Sequence, residues 1–291
     1  MDLFLSILKS VIYGVIEGIT EWLPISSTGH MILAEQVLKF GYTEDFMEMF
    51  RVVIQLGAIL AVVVLYFHKL WPFCKDNGRD TGFAAHLRWP VVRLWFKIIV
   101  ACVPAAVLGI LLDDWMDAHL YNSVVVALML IVYGVAFILI ERRPRVPTTT
   151  KLSRITYPQA FKVGCWQMLS LIPGTSRSGS TILGGMLCGM SRPAASQFTF
   201  FLAIPVMAGA SLLKLVKFFG KGNSFTLDQT VVLIVGCAVA FIVSIIAIRF
   251  LMDYVKRHTF TAFGVYRIAL GIVVLVIWGV QTFVLKAPAA V

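Results

Sequence analysis

The stretches EGITEWLPISSTGH (residues 17–30) and PGTSRSGST (residues 173–181) decide how this chain is read. Each is a polar island set in apolar sequence. Together they hold two carboxylates, an imidazole, a guanidinium and a run of hydroxyls. A hydrocarbon interior penalises unpaired charge heavily, so such groups need a compensating role there.

Around the islands, apolar runs recur at residues 52–67, 98–112, 124–140, 198–215, 231–248 and 263–283. Each approaches the roughly 20 residues that a helix needs to cross about 30 Å of hydrocarbon. Of 291 residues 59% are hydrophobic and only 14% charged, against roughly 25% charged in a soluble domain. The fold class expected is therefore an all-α integral membrane protein. The first segment lacks a basic start and a small-residue cleavage site, so it is read as retained rather than as a signal peptide.

The net charge of +10 does not point to nucleic acid, because the basic residues lie between spans. Residues 69–97 carry Lys69, Lys75, Arg79, Arg88, Arg93 and Lys97; residues 142–162 carry Arg142, Arg143, Arg145, Lys151, Arg154 and Lys162; Arg249, Lys256 and Arg257 form a third basic turn. Placing these in the cytoplasm puts the acidic connections, Glu44, Asp45 and Glu48 with Asp113, Asp114 and Asp117, outside. Lys214, Lys217 and Lys221 fall on the outer side and conflict with the scheme.

Six spans satisfy this topology only if residues 3–38 and 158–190 each return to the side they entered from. Non-helical backbone at membrane depth requires cover from protein or water, so both are read as re-entrant helical hairpins facing one another. Gly14-x-x-Glu17 with Pro24-x-Ser26-Ser27-Thr28 parallels Gly164-x-x-Gln167 with Pro173-Gly-Thr175-Ser176-Arg177, an offset of about 150 residues. Each hairpin precedes three spans, so the halves insert oppositely. The expectation is one membrane domain, 1–291, made of inverted repeats 1–145 and 150–291, with a linker containing Pro144 and Pro147 and a site near the midplane at their interface.

Glu17 and Glu21 lie one turn apart on a helix face. Their repulsion in a poorly screened site either raises one pKa or recruits a hard divalent ion, Mg²⁺ or Ca²⁺, that bridges to phosphate. A proton- or sodium-coupling pair is the alternative. Pro24 ends that helix, and Ser26, Ser27 and Thr28 can cap a second one beginning near His30, where free amides favour an anion. Ser27 and His30 then read as nucleophile and base, or His30 as a proton donor, against a plain cap and a hydrogen-bonded histidine. In the second island Gly174 opens a turn, Ser176, Ser178 and Thr181 offer hydroxyls, and Arg177 supplies a planar fork for phosphate, or a structural partner for Glu17 or Glu21.

The remaining features read as architecture. Gly14 with Gly18, and Gly185 with Gly189, have the spacing that lets helices approach closely. Trp22, Trp71, Trp89, Trp95, Trp115 and Trp166 read as interfacial anchors, His68, His86, His119 and His258 as solvated span ends, and Arg267 as a snorkelling residue. Five cysteines without metal-ligand spacing read as packing residues.

At these motifs the chain resembles the undecaprenyl-diphosphate phosphatase family of the BacA/UppP type, linked to bacitracin resistance. The resemblance spans the whole chain through E-x-x-x-E (Glu17, Glu21), S-S-T-G-H (Ser26 to His30), P-G-x-S-R-S-x-x-T (Pro173 to Thr181) and Y-R-I-x-L-G (Tyr266 to Gly271). It implies an inner-membrane bacterial enzyme, open to the periplasm, that removes the terminal phosphate of undecaprenyl diphosphate with a divalent cation. It further implies that Glu17 and Glu21 bind metal or handle protons, Arg177 clamps phosphate, Ser176, Ser178 and Thr181 hydrogen-bond it, and Ser27 and His30 sit at the reaction centre. The competing class is a transporter or flippase of a phosphorylated polyprenyl lipid, built on the same architecture. A homodimer is compatible with the small-residue helices.

Overall fold

The computed structural model describes residues 3–38, 40–75, 82–143 and 146–284. Arg79, Pro144 and Arg145, and the side chains of Asp113, Asp114 and Asp117, lie outside the described residues. The helices are α1 (Leu3–Thr20), α2 (Ser27–Val37), α3 (Glu44–Val53), α4 (Gln55–Leu65), α5 (Phe67–Leu70), α6 (Trp89–His119), α7 (Ser123–Glu141), α8 (Tyr157–Met168), α9 (Arg177–Leu187), α10 (Arg192–Gly220), α11 (Leu227–Arg257) and α12 (Thr261–Gly279). No β-strand occurs among the described residues.

Among the described residues seven segments are long and apolar enough to cross a membrane: Leu3–Thr20, Glu44–Leu65, Trp89–Leu112, Ser123–Glu141, Arg192–Gly220, Leu227–Arg257 and Thr261–Phe283. The chain is a multi-pass helical membrane protein. Six segments coincide with the six apolar runs, and the seventh is α1. By contrast α2, α8 and α9 have 11, 12 and 11 residues. At 1.5 Å per residue none crosses about 30 Å of hydrocarbon alone.

The turns between α1 and α2 and between α8 and α9 are built alike. Ser26 and Ser176 have φ of 73° and 71°, and among the described residues they are the two non-glycine residues at positive φ. Each caps the helix that follows: Ser26 Oγ accepts from Gly29 N at 3.4 Å, and Ser176 Oγ from Gly179 N at 3.1 Å. The second helix of the first pair thus begins at Ser27, ahead of the start expected near His30, because one serine suffices as cap. Gly174, at φ 87°, lies so close to Val126 O that a Cβ would sit 2.4 Å from it.

Lipid is as apolar as leucine, so these helices are held by close packing rather than by escape from water. Glycines supply the closest approaches. A Cβ on Gly14 would lie 2.7 Å from Gly236 O and one on Gly18 2.9 Å from Ala240 O, both on α11; one on Gly164 of α8 would lie 2.4 Å from Ala101 O on α6. Gly134 of α7 meets Gly264 O of α12 in the same way at 2.7 Å. Gly189 departs from the packing reading, since it follows α9 at φ 87° and forms the turn beyond it.

The misplaced lysines have partners. Lys214 pairs with Glu48 at 2.5 Å and Lys221 with Asp45 at 2.5 Å, so the end of α10 neutralises the acidic start of α3. The hydrogen bond from Asp45 holds the exposed Lys221 ammonium above its ordinary pKa. At another helix junction Glu141 ends α7, pairs with Arg192 at the start of α10, and accepts from Phe260 N at 2.9 Å. His68, His86, His119 and His258 are exposed, and the five cysteines are unbridged and half-buried.

Candidate active site

The two islands come together around one carboxylate. Arg177, the first residue of α9, donates from Nη2 to Glu21 Oε1 at 2.9 Å, while Ser27, the first residue of α2, donates from Oγ to Glu21 Oε2 at 2.9 Å. A single carboxyl therefore links the guanidinium of one island to the hydroxyl of the other. A further bond crosses between them, from Ser178 Oγ to Leu23 O at 3.2 Å. The Arg177 fork also donates from Nη1 to Thr199 O at 3.2 Å and stacks 5.9 Å above Trp22.

Several buried polar atoms have no hydrogen-bond partner among the described residues: Glu17 Oε1, Arg177 Nε, Thr175 Oγ1, Trp22 Nε1 and the Gln167 side-chain amide. Buried polar groups are nearly always satisfied, and four of these residues, Glu17, Trp22, Thr175 and Arg177, belong to the two islands. The mixture suits an oxyanion. The guanidinium and the amide ends of α2 and α9 attract negative charge.

The structure divides the remaining candidates by location. Ser176 shares a 3.2 Å bond with Ser178 Oγ while capping α9. Thr181 is turned inward, donating to Arg177 O at 2.8 Å and accepting from Thr199 at 2.9 Å, so its hydroxyl braces the first turn of α9. Thr28 and His30 are half-buried on α2. His30 Nδ1 lies 2.7 Å from Ser26 O and Nε2 2.7 Å from Tyr266 Oη. A backbone carbonyl only accepts, so Nδ1 carries the proton and, in the neutral ring, Nε2 accepts from the tyrosine. Ser27 thus pairs with Glu21 where a Ser27–His30 pair was anticipated, because the one-turn offset brings the serine to the carboxylate at the end of α1.

Two expectations are overturned. Trp22 is not an interfacial anchor: it is fully buried, edge-on to Phe200 at 5.3 Å. Arg267 does not snorkel; it is completely buried. It donates from Nη1 to Pro24 O at 3.1 Å and from Nη2 to Gly174 O and Thr175 O at 2.9 Å each. The sequence signal for it was an arginine inside the YRIALG segment, one turn too deep in an apolar helix to reach water easily. Tyr266 was likewise missed, its hydroxyl being indistinguishable in sequence from that of an ordinary interfacial tyrosine.

The description "Bacitracin resistance protein BacA" belongs to the family model that matches residues 10–273. The chain belongs to the BacA family. Among its relatives, proteins named undecaprenyl-diphosphatase from Enterococcus faecalis and Lactococcus lactis subsp. cremoris are 55% and 56% identical to it, over 95% of this chain and 99% and 98% of theirs. A third of that name, from Streptococcus thermophilus, is 55% identical over 93% of both chains.

For this BacA-family chain the fit of a divalent cation rests on donor chemistry. Glu17 Oε1 is a buried acceptor without a partner, one helical turn from Glu21. No cluster of three or more His, Cys, Asp or Glu side chains suited to a metal occurs among the described residues. Two carboxylates fit a hard ion only if phosphate and water oxygens complete its shell, as is usual for Mg²⁺.

Proposed function

We propose that this BacA-family protein is an undecaprenyl-diphosphatase. It hydrolyses undecaprenyl diphosphate to undecaprenyl phosphate and inorganic phosphate, returning the lipid carrier to cell-wall synthesis and so conferring bacitracin resistance. The observation that carries the reading is Glu21, whose two oxygens are shared between Arg177 and Ser27. A base, a hydroxyl and a phosphate-binding fork converge there.

In this mechanism the terminal phosphate takes over Arg177 and the amide ends of α2 and α9, which neutralise its charge as the bridging oxygen departs. Ser27 loses its proton to Glu21 and attacks the terminal phosphorus, expelling the lipid monophosphate; water then cleaves the phosphoserine. The alternative has Glu21 deprotonate a water that attacks directly. Glu17 and Glu21 would hold the divalent cation, which when bound withdraws charge from phosphate oxygens. His30 stands beside the first-island turn and would act as a proton donor to the departing oxygen only as the imidazolium, with that oxygen replacing the Tyr266 hydroxyl at Nε2.

The architecture proposed is an inverted repeat of residues 1–145 and 150–291, each half a re-entrant hairpin plus three spans. Its support is the paired serine caps 150 positions apart, the short α2, α8 and α9, and an exchanged packing pattern in which α1 lies on α11 and α8 on α6. Basic loops on the cytoplasmic face orient the molecule in a bacterial inner membrane with the site open to the periplasm. Thiol labelling of Cys74 and of an engineered cysteine at Thr149 from outside intact cells would contradict that orientation.

The deciding experiment is phosphate release from polyprenyl diphosphates by the purified protein in detergent, where no gradient exists. Turnover is expected, and it is expected to disappear in Arg177→Ala and Glu21→Ala. Absence of release from every polyprenyl diphosphate would point instead to a flippase.

A further inference from the structure

Arg267 is the buried charge that the mechanism above leaves unused. Its side chain is fully buried in α12, yet among the described residues none of its hydrogen bonds goes to a carboxylate. Its neighbours are main-chain carbonyls: Pro24 O in the first turn, Gly174 O and Thr175 O in the second, and Met129 O and Leu130 O, at 3.4 Å each, on α7. The Tyr133 ring covers it at 5.6 Å. A guanidinium is costly to bury, and packing alone would be served as well by methionine or leucine. What only its planar five-donor fork supplies is simultaneous hold on two irregular turns.

Those turns are the ones that deliver the site. Pro24 precedes Ser26 and Ser27; Gly174 and Thr175 precede Ser176 and Arg177. Their carbonyls accept from Arg267, so one guanidinium grips the backbone just ahead of each capping serine. The fork reaches the base of α9 as well, since a Cβ on Gly179 would lie 3.1 Å from Nη1.

We propose that Arg267 is a positioning residue that fastens the two turns to one another, fixing the separation of Ser27 from Arg177 for a diphosphate head group. This rests on the diphosphatase reading. Arg267 touches no substrate atom; it acts through the turns.

The test uses the full-length protein in detergent with a polyprenyl diphosphate and a phosphate-release readout. Wild-type turnover carries the diphosphatase reading by itself, and lack of it overturns that reading. With turnover present, Arg267→Lys keeps a cation but its single ammonium cannot hold both turns. A displacement of about 1 Å costs roughly 100-fold in rate, so kcat per folded molecule is expected to fall by about that factor while KM changes less than about threefold. Arg177→Lys is then expected to cost far less in the Arg267→Lys background than alone, because its fork is already misplaced. An arginine that served only folding would lower the folded yield and leave kcat per folded molecule, and the cost of Arg177→Lys, unchanged; that result overturns the assignment. Should Arg267→Lys not fold, Gly179→Ala displaces the fork by a few tenths of an ångström. Reduced kcat at constant KM in folded Gly179→Ala supports the proposal, and wild-type kcat overturns it.

Discussion

Ser26 and Ser176, 150 positions apart in the chain, share the same left-handed backbone and the same task, each capping a short helix with its own hydroxyl. An L-residue held there costs about 1–2 kcal/mol relative to right-handed backbone. The cap returns about 1 kcal/mol. Serine stands where glycine would relieve strain because the hydroxyl has work at the helix start.

That balance yields a paired prediction. Ser176→Ala keeps the strain and loses the cap, so it should destabilise the protein by about 1 kcal/mol; Ser176→Gly loses the cap but relieves the strain, and should lie within a few tenths of a kcal/mol of wild type. Thermal unfolding in detergent measures both. Equal loss in the two variants would show that the hydroxyl alone matters.

The ion pair between Arg177 and Glu21 is nearly buried, with side-chain exposures of 11% and 8%. Removing one member strands the other, which typically costs about 3–5 kcal/mol. Arg177→Gln and Glu21→Gln should each lower phosphate release by at least about 100-fold, and the double variant by little more than either, since residues acting as one unit are not additive. Independent, multiplying losses would separate the two roles.

How much of this was legible in the sequence varies with the kind of force. Apolar runs of membrane length announce themselves, and all six became helices. The islands were legible because charge is scarce in such a chain, so Glu17, Glu21 and Arg177 stood out. Distances between them were not. Ser27 could be paired with His30 on paper, since both follow Pro24 closely, but hydrogen-bond partners depend on where α1 stops, and it stops at Thr20 with Glu21 facing Ser27. Arg267 was misjudged for a related reason: its partners are backbone carbonyls of turns more than 90 residues away, and carbonyls leave no trace in residue type.

The bond from Ser27 to Glu21 also predicts the course of the reaction. With its proton already directed to a carboxylate, Ser27 is placed to attack, so rapid quench during turnover should trap a phosphoprotein that Ser27→Ala lacks. Two successive displacements would retain configuration at a chiral terminal phosphorus. Inversion, with no trapped species, would assign the attack to water and leave Ser27 as a hydrogen-bond donor.

Glycine packing gives a prediction that concerns the scaffold alone. Gly57 in α4 touches α11 so closely that a Cβ would fall 2.0 Å from Cys237 O, which is backbone and cannot rotate away. Gly209 in α10 has nothing within 4 Å of the same position. Gly209 is interior to its helix, where alanine brings a gain in helix propensity of up to about 1 kcal/mol, and Gly57, in the first turn of α4, would gain no more than that. At Gly209 nothing opposes that gain, and Gly209→Ala should raise the unfolding temperature slightly. At Gly57 the added methyl must push two helices apart, a cost of about 1–3 kcal/mol or more, and Gly57→Ala should lower it. Since both substitutions add one methyl to an apolar helix, hydrophobicity cannot account for opposite signs; equal shifts would mean that α4 and α11 do not meet as closely as their backbones indicate.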